Sequence, residues 1–271
     1  MNLFSYYLRP LYLFFHRIIV ISKFKNSSVK TKRMKSIYGI LGIALALSLI
    51  APSAKAQNDT MKNVLNATND WPNLRRYRNE NAKVKPGEHK VVFMGNSITD
   101  GWIKISPDFF ATNSYLDRGI GGQTTPQMLI RFRQDVINLQ PKVVLILAGI
   151  NDIAGNTGPS TLEMIEDNIA SMAQLAKDNK IKVILCSVLP AYSFPWRRGI
   201  DPVQKVIDLN KWIKNYADKN GFIYLDYYSS MVDERKGMNE NYTKDGVHPN
   251  LAGYKVMEPL AMKAIAKALR K

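Results

Sequence analysis

A single cysteine, Cys186, leaves no partner for an intrachain disulfide, so the fold must stand on packing. A chain of 271 residues, 46% of them hydrophobic, has core enough for that. Histidine is nearly as scarce, with His16, His89 and His248 the complete set. No grouping of Cys, His and Asp has metal-ligand spacing, so neither a metal nor a cofactor is expected. Acidic residues are missing altogether from residues 1–56, which hold nine of the 38 Lys and Arg. The net charge of +16 is therefore concentrated at the front, and beyond residue 56 the remaining 29 bases face 22 acids, a net of +7. With no long basic run and no recognisable DNA- or RNA-binding signature, a nucleic-acid partner is not expected. No apolar run reaches cleanly the ~20 residues of a membrane span.

The acid-free front reads as targeting sequence. Met34-Lys35-Ser36 is a basic start, Ile37 to Ile50 an apolar run of signal-peptide length, and Ala51-Pro52-Ser53-Ala54-Lys55-Ala56 ends in a small-x-small cleavage site. Residues 34–56 are thus expected to be a signal peptide cleaved near Ala56. Residues 1–33 fit badly in front of it. They contain a second apolar-aromatic stretch, Tyr6 to Ser22, broken by Arg9, His16 and Arg17, and read as an extension upstream of a true start at Met34. No cysteine stands directly after the cleavage site, where residue 57 is Gln, so a lipoprotein is not expected. A soluble periplasmic or secreted domain spanning residues 57–271, with no membrane span, is the expectation.

Within that domain the apolar runs alternate with helical patterns. Met61 to Asn81 is polar and helix-compatible, with Trp71, Leu74 and Tyr77 as a stripe against the domain. Strands are expected at Lys90–Met94, Ser114–Arg118, Lys142–Ala148, Lys182–Leu189 and Phe222–Asp226. Helices are expected over Thr125–Asn138, from a cap at Ser160 to about Asp178, over Pro202–Lys219 and over Leu251–Leu269. Continuous β-branched runs, not a period of two, mark strands buried on both faces. Strands alternating with helices in this way give a parallel sheet covered by helices on each side. Neither a repeat nor an internal linker interrupts it, so this is one α/β domain.

In open parallel sheets, sites form beyond the carboxyl ends of the strands. There the chain places Gly95-Asn96-Ser97, then Gly119-Ile120-Gly121-Gly122, then Gly149-Ile150-Asn151-Asp152, and finally Asp245-Gly246-Val247-His248-Pro249. A serine hydroxyl is a poor nucleophile until a base takes its proton, and His248 is the available base. Asp245, three residues earlier, can hold the imidazole in one tautomer and stabilise the imidazolium. The backbone N–H groups of Ser97 and Gly122 and the side-chain amide of Asn151 are candidate donors to a developing oxyanion.

These four blocks, in this order, resemble those of the SGNH hydrolases, also called GDSL esterases and lipases. Over Lys90 to Leu269 the resemblance implies a three-layer α/β/α sandwich on five parallel strands, a flavodoxin-like arrangement. It implies Ser97 as nucleophile, Asp245 and His248 completing the triad, and Ser97, Gly122 and Asn151 as the oxyanion hole. Asn96 departs from the pattern, standing where the family name has Asp; it neighbours the nucleophile and is not a triad member. The expected reaction is ester hydrolysis through an acyl-enzyme, on a small-molecule or glycan ester. Short acyl groups such as acetyl on carbohydrate suit an exported domain with aromatic loops and no long apolar lid.

Other readings stay open. A lysophospholipase or a lipid esterase like platelet-activating-factor acetylhydrolase fits the same family. A glycan-binding protein that has lost catalysis fits the same fold, although an intact Ser97, Asn151, Asp245 and His248 speaks against it. The glycines at 119, 121 and 122 lack the Lys-Ser/Thr of a phosphate loop and the dinucleotide pattern. Asp152 reads equally as a helix cap. Tyr192 to Arg198 is either a substrate wall, with Trp196 and Arg197 in contact, or an exposed loop tethered by one aromatic; Trp102 carries the same two readings. Cys186, inside a strand, reads as core. Amino-terminal sequencing of the exported protein should start at Gln57; a mature chain beginning at residue 1 would defeat the assignment of the front.

Overall fold

The computed structural model describes residues 70–270. The extension expected over 1–33, the signal peptide over 34–56 and the first part of the Met61–Asn81 segment lie outside them. In chain order the elements are α1 (Arg78–Asn81), β1 (Val91–Gly95), α2 (Ser97–Ile105), α3 (Pro107–Asn113), β2 (Leu116–Gly119) and α4 (Thr125–Asp135). A 3-10 turn at Ile137–Leu139 leads to β3 (Val143–Leu147), α5 (Ile150–Ile153), α6 (Leu162–Asp178) and β4 (Lys182–Cys186). They are followed by α7 (Val203–Asn220), β5 (Ile223–Leu225), α8 (Tyr228–Met231), a 3-10 turn at Glu240–Tyr242 and α9 (Leu251–Arg270).

The five strands form one sheet in the order β2-β1-β3-β4-β5, every neighbouring pair parallel. Residues of β1 and β3 are buried throughout, as continuous apolar runs require. Helices α4, α6 and α7 pack side by side on one face, and α2, α3 and α9 cover the other. This is the three-layer α/β/α sandwich. Register then does the positioning. Gly95 lies opposite both Gly119 of β2 and Leu147 of β3, so the turns after three strands leave the sheet at one level.

Residues 97–113, to which the sequence pattern assigns no element, form two helices, α2 and α3. Two local expectations are corrected. Residues 70–77 are turns, with helix confined to Arg78–Asn81. This segment is held by its carbonyls: Gln123 Nε2 donates to Pro72 O, Gln127 Nε2 to Trp71 O and Gln134 Nε2 to Leu74 O, at 2.6–2.8 Å. Only Tyr77 of the expected stripe is buried. The cap of α6 is Thr161, whose hydroxyl accepts from Met164 N at 3.3 Å, in place of Ser160.

Trp102 is also reassigned. It lies on the buried side of α2, 1% exposed, stacked between Phe109 and Tyr254 with ring centroids 5.2 Å from each. Phe93 and Phe110 meet it edge-on. An indole so enclosed fills the core and meets no substrate. Cys186 is buried at the end of β4, where burial pushes its thiol well above the ordinary range. Trp102→Ala should cost about 3–5 kcal/mol of stability. Denaturant melts check this, and a loss under about 1 kcal/mol would show that the aromatic cluster is not a tightly packed core.

Candidate active site

Strand β1 ends in Gly95 because α2 starts on top of it. A Cβ at Gly95 would lie 1.9 Å from Thr99 Oγ1, so only glycine lets the helix begin at Ser97. Asn96 caps that helix, accepting from Ile98 N at 3.1 Å. This explains the tolerated departure at this position, since Asn and Asp cap equally well. Ser97 is the first residue of α2, where backbone N–H groups have no partner within the helix.

The hydroxyl of Ser97 is 2.9 Å from Nε2 of His248. The other ring nitrogen, Nδ1, is 2.6 Å from Asp245 Oδ2. The Asp-x-x-His turn builds this geometry by itself: Asp245 Oδ1 accepts from Val247 N at 2.9 Å and His248 N at 2.7 Å. Thr243 closes the loop by donating its hydroxyl to His248 O at 2.7 Å. Partial burial pushes the Asp245 carboxyl upward, but these N–H donors and the His248 ring outweigh it and hold the group below its ordinary range. Asp245 is therefore an anion, and a hydroxyl–imidazole–carboxylate chain runs unbroken across the rim.

The glycine-rich turn lies alongside. A Cβ at Gly121 would be 4.0 Å from that of Ser97. Gly122 has φ +76, a backbone state that favours glycine, and its N–H forms no hydrogen bond among the described residues. Asn151, 2% exposed on the short helix α5, donates Nδ2 to Gln123 O at 2.9 Å. A side-chain amide has two N–H donors, so one remains. Asp152 is a cap, though of another helix: its carboxylate accepts from Thr125 N and Thr125 Oγ1 at the start of α4. Burial outweighs those bonds and pushes Asp152 up to about 6.

Phe194 is buried and tethers the Tyr192–Arg198 loop, which leaves Trp196 43% exposed with its ring centroid 5.8 Å from that of His248. Arg197 turns to the protein instead, donating Nε to Ala154 O at 3.2 Å and Nη2 to Gly155 O at 2.8 Å. Two hollows flank the pair. Beside Gly122 is a polar cleft of about 600 Å³, lined by Asp70, Trp71, Gly122, Gln123 and Asn156 among others. Beside His248 is a more apolar groove of about 850 Å³, lined by Ile105, Leu251 and Ala252 with Lys244 and Lys255 at its edges. Sequence reasoning missed Trp71 and Asn156 here. Trp71 belongs to the stripe expected to be buried, and Asn156 belongs to no motif. Nor did it foresee Arg131, fully buried, which links Gly95 O to Gln123 Oε1 at 2.9 and 2.6 Å. No group of His, Cys, Asp and Glu that could hold a metal is present among the described residues.

The chain belongs to the GDSL-like lipase/acylhydrolase family, which residues 93–256 match. It is similar to a Bacteroides fragilis protein described as an acylhydrolase, with 52% identity over 73% of this chain and 98% of that one, at a TM-score of 0.72. A GDSL-like lipase from Bacteroides thetaiotaomicron is 54% identical over 73% and 98% of the two chains, at a TM-score of 0.71. An N-acylneuraminate cytidylyltransferase from Escherichia coli is 26% identical over 217 residues, which are 79% of this chain and 47% of the relative. The chain spans about half the length of the curated relatives it matches. Asp245→Asn should slow labelling of Ser97 by a fluorophosphonate about 10³–10⁴-fold, because the imidazole loses its fixed tautomer. An unchanged labelling rate would show that Asp245 neither fixes the imidazole tautomer nor stabilises the imidazolium.

Proposed function

We propose that the protein is an exported serine esterase that cleaves carboxylic esters through an acyl-enzyme. The observation that carries this is the contact of Ser97 Oγ with His248 Nε2 at 2.9 Å, backed by Asp245 at 2.6 Å. Ser97 Oγ attacks the ester carbonyl carbon while its proton passes to His248 Nε2. The carbonyl oxygen takes the negative charge, stabilised by N–H of Ser97, N–H of Gly122 and the free N–H of Asn151. On collapse the C–O bond breaks and the alcohol leaves with the proton from His248. Water then adds to the acyl-serine, with His248 taking and returning its proton, and the acid departs. Export rests on the residue 34–56 pattern. No helix among the described residues is long and apolar enough to cross a membrane.

For the substrate, the polar cleft beside Gly122 favours a short acyl group on carbohydrate. An exposed indole at Trp71 and the unpaired backbone N–H of Gly122 offer a flat face and a hydrogen-bond donor that a sugar ester uses. The apolar groove beside His248 supports a second reading, a lipid ester with its chain along Ile105 and Leu251. A glycan-binding protein without catalysis is a poorer fit, because every group of the proton chain is in place. Residues 57–271 should hydrolyse p-nitrophenyl acetate, and Ser97→Ala should lower kcat by roughly 10³-fold or more. Equal rates for the two proteins end the esterase reading. Across esters from acetate to decanoate, kcat/KM should peak at acetate; a peak at the long chains selects the lipid reading.

A further inference from the structure

One exposed side chain outside the Ser97–His248–Asp245 group ties together three loops of the rim. Asn156 Oδ1 accepts from Trp196 Nε1 at 3.1 Å, and Asn156 Nδ2 donates to Gly122 O at 3.2 Å. Its neighbour Thr157 shares a hydrogen bond with Thr124 at 3.0 Å, hydroxyl to hydroxyl. From behind, Arg197 grips the carbonyls of Ala154 and Gly155. Gly122 needs such support. Gly122 is exposed and a Cβ there would meet nothing within 4 Å, so no neighbour packs against it on that side, and glycine has the widest backbone freedom. A turn bond from Gln123 N to Ile120 O at 3.4 Å closes around it, and two side-chain amides add to that hold: Asn156 on its own carbonyl at 3.2 Å and Asn151 on the next, Gln123 O, at 2.9 Å.

We propose that Asn156 is a positioning residue, which fixes the Gly122 amide as an oxyanion donor and links it to the Trp196 wall beside His248. The inference rests on the esterase reading for the role of Gly122, but the link itself is a matter of geometry. A small misplacement of a catalytic donor costs up to ~10²-fold in rate. Asn156→Ala should therefore lower kcat for p-nitrophenyl acetate by about tenfold, with KM and the melting temperature little changed. Asn156→Asp keeps the acceptor for Trp196 but lacks the donor to Gly122, and should match the alanine variant. Trp196→Phe keeps an aromatic face but loses the indole N–H together with the second ring. It should lower kcat by a smaller factor and add nothing in the Asn156→Ala background. Wild-type kcat in both Asn156 variants, a loss confined to KM, or full additivity with Trp196→Phe overturns the proposal. Should Asn156→Ala fail to fold, Asn156→Asp and Trp196→Phe decide. The NMR amide signal of Gly122 gives a reading free of turnover: it should shift in Asn156→Ala, and an unmoved signal refutes the link. Absence of Ser97-dependent turnover in the parent protein, with a shifted Gly122 signal, sinks the esterase reading alone.

Discussion

The guanidinium of Arg131 has no solvent exposure, yet two turns of the rim converge on it. It donates to Gly95 O, to Gln123 Oε1 and to Asp135 Oδ2, at 2.9, 2.6 and 3.0 Å. Gly95 precedes the nucleophile turn, and Gln123 ends the glycine turn. Asp135 accepts in addition from Asn81 Nδ2 at 2.7 Å, which draws in the segment before the sheet. Burial pulls the Arg131 pKa down, while Asp135 holds it up, and an arginine keeps its proton in either case. A buried ion pair is a poor source of net stability, but losing one partner leaves an uncompensated charge at a cost of about 3–5 kcal/mol. Its value here is geometric, because the cation fixes the distance between two turns that the sheet register only brings near.

The register supplies the rest. With Gly95, Gly119 and Leu147 aligned across three parallel strands, Ser97, Gly121 and Asn151 leave the sheet close together. His248 comes from a loop far along the chain, and its Asp245 turn is closed by hydrogen bonds of its own. A rigid sheet thus presents one half of the site and a self-closed loop the other.

Much of this was legible. Five apolar runs became five strands, and the fold class came from their alternation with helices. The candidate site residues were found among the polar groups just beyond the strand ends, and they do share one rim. Illegible were features that depend on tertiary partners. Helices α2 and α3 lie in a segment, broken by Gly101 and Pro107, to which the sequence pattern assigns no element. A Cβ at Gly101 would lie in tight contact, 3.0 Å, with the hydroxyl of Tyr254, a residue far away in the chain. The place of Trp102 soon after Ser97 left open whether it met substrate, and the helix carries it into the core. Asn156 and the carbonyl-bound segment at Trp71 carry no pattern, since their roles are set by hydrogen bonds to other loops.

The lone thiol of Cys186 lies sealed beneath helices at the end of β4. A protein so arranged presents alkylating reagents with nothing to attack. Its surface is chemically blank for maleimides and spin labels, so a cysteine placed anywhere on the rim becomes the unique attachment point for a probe. The native cysteine can stay in place, and loop movement around the serine can be followed in an otherwise unaltered molecule.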